Sequence, residues 1–190
     1  MMKKITLILS LCLLSLCCKA QSPIVSFRDY YVNDTDDLGN MYIKDTEGLL
    51  NPYIGTWVWQ SGNDLITIEF EKIDMEYYTD SRISLYRDRI KGKVKYVENG
   101  QEVFNSITAG EYLLTISKPM PTNQKISFTF KDPLMSSKYG HVEITLINNN
   151  TQIKFYLRNR EGPRLILPGE TAEDPDFSMP KRTEFILTKQ

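Results

Sequence analysis

The sequence predicts an all-β protein in which one antiparallel meander closes, or nearly closes, into a barrel. Apolar and polar residues alternate along most of the chain after residue 50, as they do on half-buried antiparallel strands. Short turns rich in Asn and Gly separate the alternating segments, as they do in consecutive hairpins. A β-sandwich is the alternative, because about eight or nine strands with one apolar face can also form two packed layers.

Alternation with a period of two is clearest at residues 65–72. There Ile66, Ile68 and Phe70 fall on one face of the expected strand, and polar residues fall on the other. A helix would place apolar residues three and four positions apart, and no long segment of the chain does so. The other alternating segments are residues 125–131, 141–147 and 152–158, and shorter strands are expected at 112–116 and 183–189.

Three turns support the hairpins that a meander requires. Asn99 and Gly100 lie between two β-prone arms, and both residue types tolerate the positive φ angles of a type I′ turn. Residues 61–64 and 148–151 provide two more short polar loops between alternating segments. The strands on either side of each turn are therefore expected to pair antiparallel.

Residues 1–20 predict a signal peptide rather than a part of the fold. Two lysines precede an apolar run at residues 5–16, and Ala20 ends a small-x-small cleavage pattern. The run is too short to span a bilayer, which needs about 20 residues. The protein is therefore expected to be exported, to the periplasm or the outside of the cell, with Gln21 as its first mature residue.

Anchoring as a lipoprotein through Cys17 is the alternative, although the preceding Leu16 is larger than the residue usually found there. All three cysteines lie within the predicted signal peptide, so the mature chain is expected to have no disulfide and no Cys-based metal site. Of the 23 Lys and Arg residues, three lie in that peptide, which leaves 20 against 24 Asp and Glu, a net charge of −4. This mild negative balance argues against a dedicated nucleic-acid binder. No transmembrane segment is predicted.

A single domain is expected after the signal peptide. Residues 21–50 are rich in Asp, Tyr and Gly and predict an irregular leader, with one hairpin at Gly39 and Asn40. Residues 51–190 predict the barrel domain. Within it, residues 160–182 predict a long loop, because four prolines exclude a helix and a central strand. A loop of this length in a compact domain is often a lid or a recognition loop.

Both tryptophans of the chain begin the first barrel strand, in the sequence G-T-W-V-W at residues 55–59. This Gly-x-Trp start resembles the lipocalin-like and calycin-like barrels. The resemblance implies that the Gly lets the chain bend across the barrel floor. It also implies that Trp57 plugs the closed end beside an Arg, for which Arg182 is the candidate, and that Trp59 shares its face. The chain departs from lipocalins in lacking their disulfide and their Thr-Asp-Tyr motif.

A longer resemblance covers most of the mature chain, from Tyr42 to the end. The runs N-P-Y-I-G-T-W-V-W at residues 51–59 and Y-R-D-R-I-K-G-K-V-K-Y-V-E-N-G at residues 86–100 are similar to a family of small secreted proteins from Bacteroidota. The function of that family is unknown. The resemblance therefore implies export and brings no activity with it.

The inward-facing residues of the barrel are the first candidate binding site, since a lipocalin-like barrel can hold a small apolar molecule. Such a carrier needs an open cavity of about 300 Å³ or more. The opposing interpretation is that these large side chains simply fill the core. The candidate lining residues are Trp57, Trp59, Ile66, Ile68, Phe70, Phe128, Phe130 and Phe155.

A basic residue occupies every second position of one predicted strand. On a strand these side chains point to one face and form a basic ladder about 27 Å long. Glu69, Glu71 and Glu102 are candidate counter-charges on neighbouring strands. The ladder predicts either a surface for an anionic envelope glycan or a solvated outer face that resists edge pairing. Its members are Arg87, Arg89, Lys91, Lys93 and Lys95.

No catalytic motif is present in the sequence. His141 is the only histidine, the mature chain has no cysteine, and no Gly-x-Ser-x-Gly occurs. No enzyme activity, cofactor or metal is therefore predicted. Two functions are expected: a carrier of a small apolar ligand or, alternatively, an envelope interaction module with a filled core. The second would act through the basic ladder or the proline-rich loop.

Overall fold

The structure is a computed structural model that describes residues 22–32, 39–81, 83–122, 124–135, 138–159 and 176–190. These ranges contain eleven strands, two short helices and one 3-10 turn. None of the helices in these ranges is long and apolar enough to cross a membrane. The strands are β1 (Ile24–Ser26), β2 (Tyr42–Lys44), β3 (Gly55–Ser61), β4 (Asp64–Thr79), β5 (Ser84–Glu98), β6 (Gln101–Asn105), β7 (Leu114–Thr122), β8 (Lys125–Lys131), β9 (Tyr139–Ile147), β10 (Gln152–Asn159) and β11 (Glu184–Lys189); the helices are α1 (Phe27–Val32) and α2 (Ser106–Ala109), and the 3-10 turn is Asn51–Tyr53.

Eight of the strands form one closed antiparallel barrel, which confirms the predicted fold class. They follow one another around the barrel in the order β3, β4, β5, β7, β8, β9, β10 and β11. The last strand returns to the first, with Lys189 of β11 opposite Trp57 of β3. β5 pairs antiparallel with β7, with Lys91 opposite Thr115, and this pairing completes the barrel.

The three predicted turns are confirmed. Asn99 and Gly100 join β5 to β6 with φ angles of 52° and 79°, the positive values that a type I′ turn needs. Gly62, with φ 57°, lies in the turn between β3 and β4. Three consecutive asparagines, residues 148–150, adopt positive φ angles between β9 and β10. Asn tolerates this region better than most residues do, so these loops suit their sequences.

The hairpin of β4 and β5 extends past the barrel at the end where β3 begins. Gly55, the first residue of β3, lies opposite Phe70, whereas β4 continues to Thr79. This overhang carries β2 on the free side of β5, and β2 in turn carries β1. Both added pairings are parallel. The barrel and the short N-terminal strands therefore belong to one continuous sheet.

The leader was predicted to be irregular, but its described part contains β1, α1 and β2. Residues 33–38, the first arm of the hairpin predicted at Gly39 and Asn40, lie outside the described residues; β2, on the other side of that turn, pairs parallel with β1. Phe27, Met41 and Ile43 are 2%, 1% and 1% exposed, so burial fixes this segment against the overhang. Strands of three residues are too short to show alternation, and this explains why the sequence did not predict them.

A buried carboxylate joins the leader to the overhang. Asp88 is 0% exposed and accepts hydrogen bonds from the Tyr42 hydroxyl at 2.5 Å and from the backbone N–H groups of Asp45 and Met75 at 3.0 and 3.1 Å. Lys72 Nζ lies 3.4 Å from Asp88 Oδ2, the oxygen that accepts from the Asp45 N–H group. Burial alone would raise the pKa of Asp88, but these partners outweigh burial and hold the pKa below its ordinary value.

Glycine at two inward positions makes room for aromatic rings in the barrel interior. A Cβ atom at Gly92 would lie 2.7 Å from Cε1 of Phe70, and one at Gly140 would lie 2.5 Å from Cδ1 of Leu157. Both distances are far below normal carbon contacts. The interior is therefore packed closely enough that these positions admit no side chain without a shift of their neighbours.

Candidate functional site

The closed end of the barrel is plugged by Trp57. Its side chain is 0% exposed, and its indole N–H donates to the Tyr53 carbonyl oxygen at 2.8 Å. Tyr53 ends the 3-10 turn that crosses the barrel floor, and Pro52 fixes φ inside that turn. Gly55 then adopts φ 118°, a value that L side chains rarely take, as the chain turns into β3. Trp57 is thus buried at the start of β3, next to the 3-10 turn.

The cation beside Trp57 is Lys189, not Arg182. Lys189 Nζ lies 5.1 Å from the centre of the Trp57 ring system and donates to the Pro52 carbonyl oxygen at 3.3 Å. Arg182 is exposed and precedes β11, so it lies at the opposite end of that strand. The correction follows from strand direction, because only the last residues of β11 reach the start of β3.

The predicted ligand-lining residues are brought together inside the barrel. Trp59 is more exposed than the other predicted lining residues, since its side chain is only partly buried. Its ring contacts that of Phe185, with ring centres 4.8 Å apart. Phe70 stacks on Phe128 at 5.0 Å. A cavity of ligand size would leave accessible surface on the side chains around it, yet most of these side chains have none. Trp57, Ile66, Ile68, Phe128, Phe130 and Phe155 are each 0% exposed, and Phe70 is 2% exposed.

The open end of the barrel is covered by residues 176–182, which we call the cap. They belong to the end of the proline-rich loop; residues 160–175 of that loop lie outside the described residues. Phe177 and Met179 of the cap are 7% and 2% exposed. The Phe177 ring lies 6.0 Å from that of Phe130, which connects the cap to the aromatic interior. The cap therefore fills the mouth with apolar side chains.

Asp132 fastens the cap to the barrel. This carboxylate is 0% exposed and accepts hydrogen bonds from the Ser178 backbone N–H at 2.7 Å and the Ser178 hydroxyl at 2.5 Å. It also accepts from the backbone N–H groups of Leu134 and Met135, at 2.9 and 3.1 Å. Because one carboxylate holds both the cap and the turn after β8, the two segments form one surface at the mouth.

That mouth surface is partly apolar and lies beside a cleft. Leu134, Met135 and Tyr139 are 61%, 38% and 42% exposed, which is unusual for large apolar side chains so close in sequence. The cleft has a volume of about 410 Å³ and an open, largely polar wall. Tyr96 and Glu98 of β5 form one side of it, and the cap forms the other. The sequence did not predict this surface, because Leu134 and Met135 lie in the turn between β8 and β9 and meet the cap only in the folded chain.

The basic ladder lies on the outer face of β5, as predicted, but much of its charge is neutralised. Lys93 Nζ lies 2.6 Å from Glu71, and Lys95 Nζ lies 3.2 Å from Glu102. Glu71 and Glu102 are two of the predicted counter-charges. Glu76 of β4 is a further counter-charge, which the sequence did not indicate.

Glu76 has two cationic partners in the first half of the ladder. Arg89 lies 3.3 Å from one of its oxygens, and Lys91 pairs with the other. The ladder is therefore a set of ion pairs on a folded surface rather than five free cations. Arg87 differs from the others, since its guanidinium lies 3.8 Å from the centre of the Tyr78 ring.

Across the described ranges, no three His, Cys, Asp or Glu side chains cluster in a way that would hold a metal ion. His141 lies on β9, opposite Thr129 of β8 and Arg158 of β10. The buried carboxylates Asp88 and Asp132 are occupied by backbone and side-chain donors at short range.

The fold and its two closed ends define a small all-β barrel of lipocalin-like architecture. The chain belongs to a family of unknown function, DUF6705, whose model matches residues 2–190. Comparison with curated proteins gave no match, and comparison with solved structures gave none either.

Replacing Trp57 by Ala should lower the free energy of unfolding by about 3–5 kcal/mol, because it removes a fully buried ring and its hydrogen bond. Trp59→Ala is the matched control and should lower it less, since Trp59 is only partly buried. Urea unfolding followed by circular dichroism measures both values. An equal or smaller loss for Trp57→Ala would show that the floor plug does not stabilise the barrel.

Tyr112→Phe should destabilise the protein at neutral pH and have less effect in acid. Lys93 and then the Tyr112 hydroxyl donate to Glu71, both at 2.6 Å, and hold the pKa of that carboxyl below its ordinary value of 4.5. A carboxyl with a lowered folded pKa stabilises the fold above its unfolded pKa, and this contribution is lost as the pH falls through the folded value. Urea midpoints of both proteins from about pH 7 to about pH 3 measure the difference. A difference that grows on acidification would contradict this assignment.

Proposed function

We propose that this protein is an exported, non-enzymatic interaction module of the cell envelope, in which the barrel is a filled scaffold. Partners bind to its outer surface rather than inside it. The observation that carries the proposal is the lack of accessible surface on the inward-facing aromatic and aliphatic residues. Export rests on the sequence of residues 1–20, which lie outside the described residues.

Packing of the interior supports a scaffold over a carrier. A pocket for a small apolar molecule has a volume of about 300 Å³ or more and is lined by side chains that touch the ligand. Here the corresponding side chains touch one another, as in the stack of Phe70 on Phe128. The close approach of Phe70 to the backbone at Gly92 shows the same density on the β5 side.

The mouth surface is the best candidate for the contact with a partner. It combines exposed apolar side chains, Leu134 and Met135, with an adjacent cleft whose walls carry charges of both signs. Exposed apolar groups next to polar rims are typical of protein–protein contacts. Asp132 keeps the surface rigid, so binding requires little ordering of the chain. We therefore propose a protein of the envelope as the partner at this end.

A carrier function is the second candidate, and one observation favours it. The mouth is covered by the cap, a segment without strand or helix, and not by a strand of the barrel. Phe177 and Met179 occupy the entrance through which an apolar ligand would pass. Such a ligand would have to displace both side chains and also separate the aromatic residues beneath them.

A Leu134→Ser, Met135→Ser double variant should lose retention on isolated cell-envelope fragments by about tenfold, because it removes two exposed apolar contacts. The matched control is Ile186→Ser, which changes a side chain that is 45% exposed on β11, away from the mouth. Cosedimentation of the purified proteins with the fragments measures retention. Equal retention of the double variant and the wild type would overturn the assignment of the mouth as the binding surface.

A further inference from the structure

We propose that Arg87 and Arg89, with Lys91 beside them, form a binding site for a single phosphate or sulfate group on the outer face of β5. The site lies on the overhang, away from the mouth. It goes beyond the proposed function and does not depend on whether the barrel interior is filled.

Arg87 is a cation without an anionic partner in the described part of the chain. Its guanidinium lies 3.8 Å from the centre of the Tyr78 ring, an attraction that fixes the plane of the group but uses none of its N–H donors. Its Nε atom is buried and makes no hydrogen bond. A buried donor without an acceptor is unfavourable, so the guanidinium is suited to donate hydrogen bonds to a ligand oxygen.

Arg89 has partners, yet it too retains unused donors. Its Nη1 lies 3.3 Å from Glu76, and its Nη2 donates to the Ile116 carbonyl oxygen at 2.8 Å. Its Nε atom is buried without a hydrogen-bond partner. Burial lowers the pKa of Arg89, and the nearby charge of Arg87 lowers it further. The two residues are also two positions apart on β5, so their side chains lie on the same face of that strand.

The charge balance around these residues differs from the rest of the ladder. Among the described residues, Lys93 and Lys95 each have a carboxylate partner of their own, Arg89 and Lys91 share Glu76, and Arg87 has no carboxylate partner. Three cations thus face one carboxylate. Arg89 and Lys91 keep only 17% and 21% of their side-chain surface, so water screens this excess positive charge poorly. A bound anion would offset it.

The geometry favours an oxyanion with several oxygens over a diffuse polyanion. A guanidinium offers a planar fork of N–H donors that matches the oxygens of a phosphate or sulfate group. Stacking on Tyr78 keeps the Arg87 fork in one orientation, which reduces the entropy lost on binding.

Isothermal titration of the full mature protein with inorganic phosphate at low ionic strength tests the proposal. We expect saturable binding with one site per chain. Arg87→Gln should weaken it about tenfold or more, because charge-assisted hydrogen bonds are lost. Lys93→Gln is the matched control: it removes the same charge from the same strand face, yet phosphate affinity should stay within about twofold of the wild type.

A second variant keeps the proposal testable should Arg87→Gln fail to fold. Arg87→Lys preserves the charge but loses the planar fork, and it should bind phosphate more weakly than the wild type does. Circular dichroism confirms folding of each variant. No binding of phosphate or sulfate by the wild type would overturn the proposal, and so would undiminished binding by folded Arg87 variants.

The same variants distinguish a free anion from a lipid headgroup. Vesicles of phosphatidylglycerol mixed with phosphatidylcholine are compared with vesicles of phosphatidylcholine alone, which carry no net charge. Arg87-dependent binding to the first kind only would assign the site to anionic headgroups. Binding of inorganic phosphate without vesicle binding would assign it to a soluble oxyanion.

Discussion

The indole of Trp57 is the constraint on which the rest of the barrel depends. It meets three separate segments at one point: the 3-10 turn through its N–H bond to Tyr53, the last strand through Lys189, and the inner face of the barrel through its buried ring. Lys189 lies opposite Trp57 in the pairing of β11 with β3. The contacts around Trp57 and the pairing that closes the barrel are therefore made by the same residues. Above Trp57, Phe70 stacks on Phe128, and Phe130 contacts Phe177 of the cap.

The inward-facing side chains have little or no accessible surface, and the outer face, which a partner can reach, is not uniform. Most of the basic ladder is balanced by glutamates on β4 and β6, so it behaves as a set of ion pairs on a stable surface. Two places differ from this balance. At the mouth, Leu134 and Met135 expose apolar surface beside the cap; on the overhang, Arg87 and Arg89 keep positive charge that the described protein groups do not neutralise. They differ in chemistry and lie at opposite ends of the barrel, which suits a module with more than one contact.

Sequence reasoning predicted those parts of the fold that follow from local rules. The alternation at residues 125–131 matches β8 from end to end, and the Asn99–Gly100 turn was located because few residue pairs tolerate two positive φ angles. The leader was not predicted, because its strands are too short for a period to appear. The lipocalin resemblance implied an Arg beside Trp57, with Arg182 as the candidate, whereas strand direction selects Lys189. The cap depends on Phe177 meeting the rings inside the barrel, a contact between distant segments that no local pattern in a proline-rich loop encodes.

Xenon binding tests the filled interior most directly, since xenon enters closed apolar cavities that water leaves empty. The measurement is a crystal structure of the protein pressurised with xenon, or xenon NMR of the protein in solution. The account predicts no xenon site among Phe70, Phe128 and Phe155, because Phe70 stacks on Phe128 and the three side chains are 2%, 0% and 0% exposed. One or more xenon atoms bound there would contradict it and would make a ligand inside the barrel the better explanation of what this protein does.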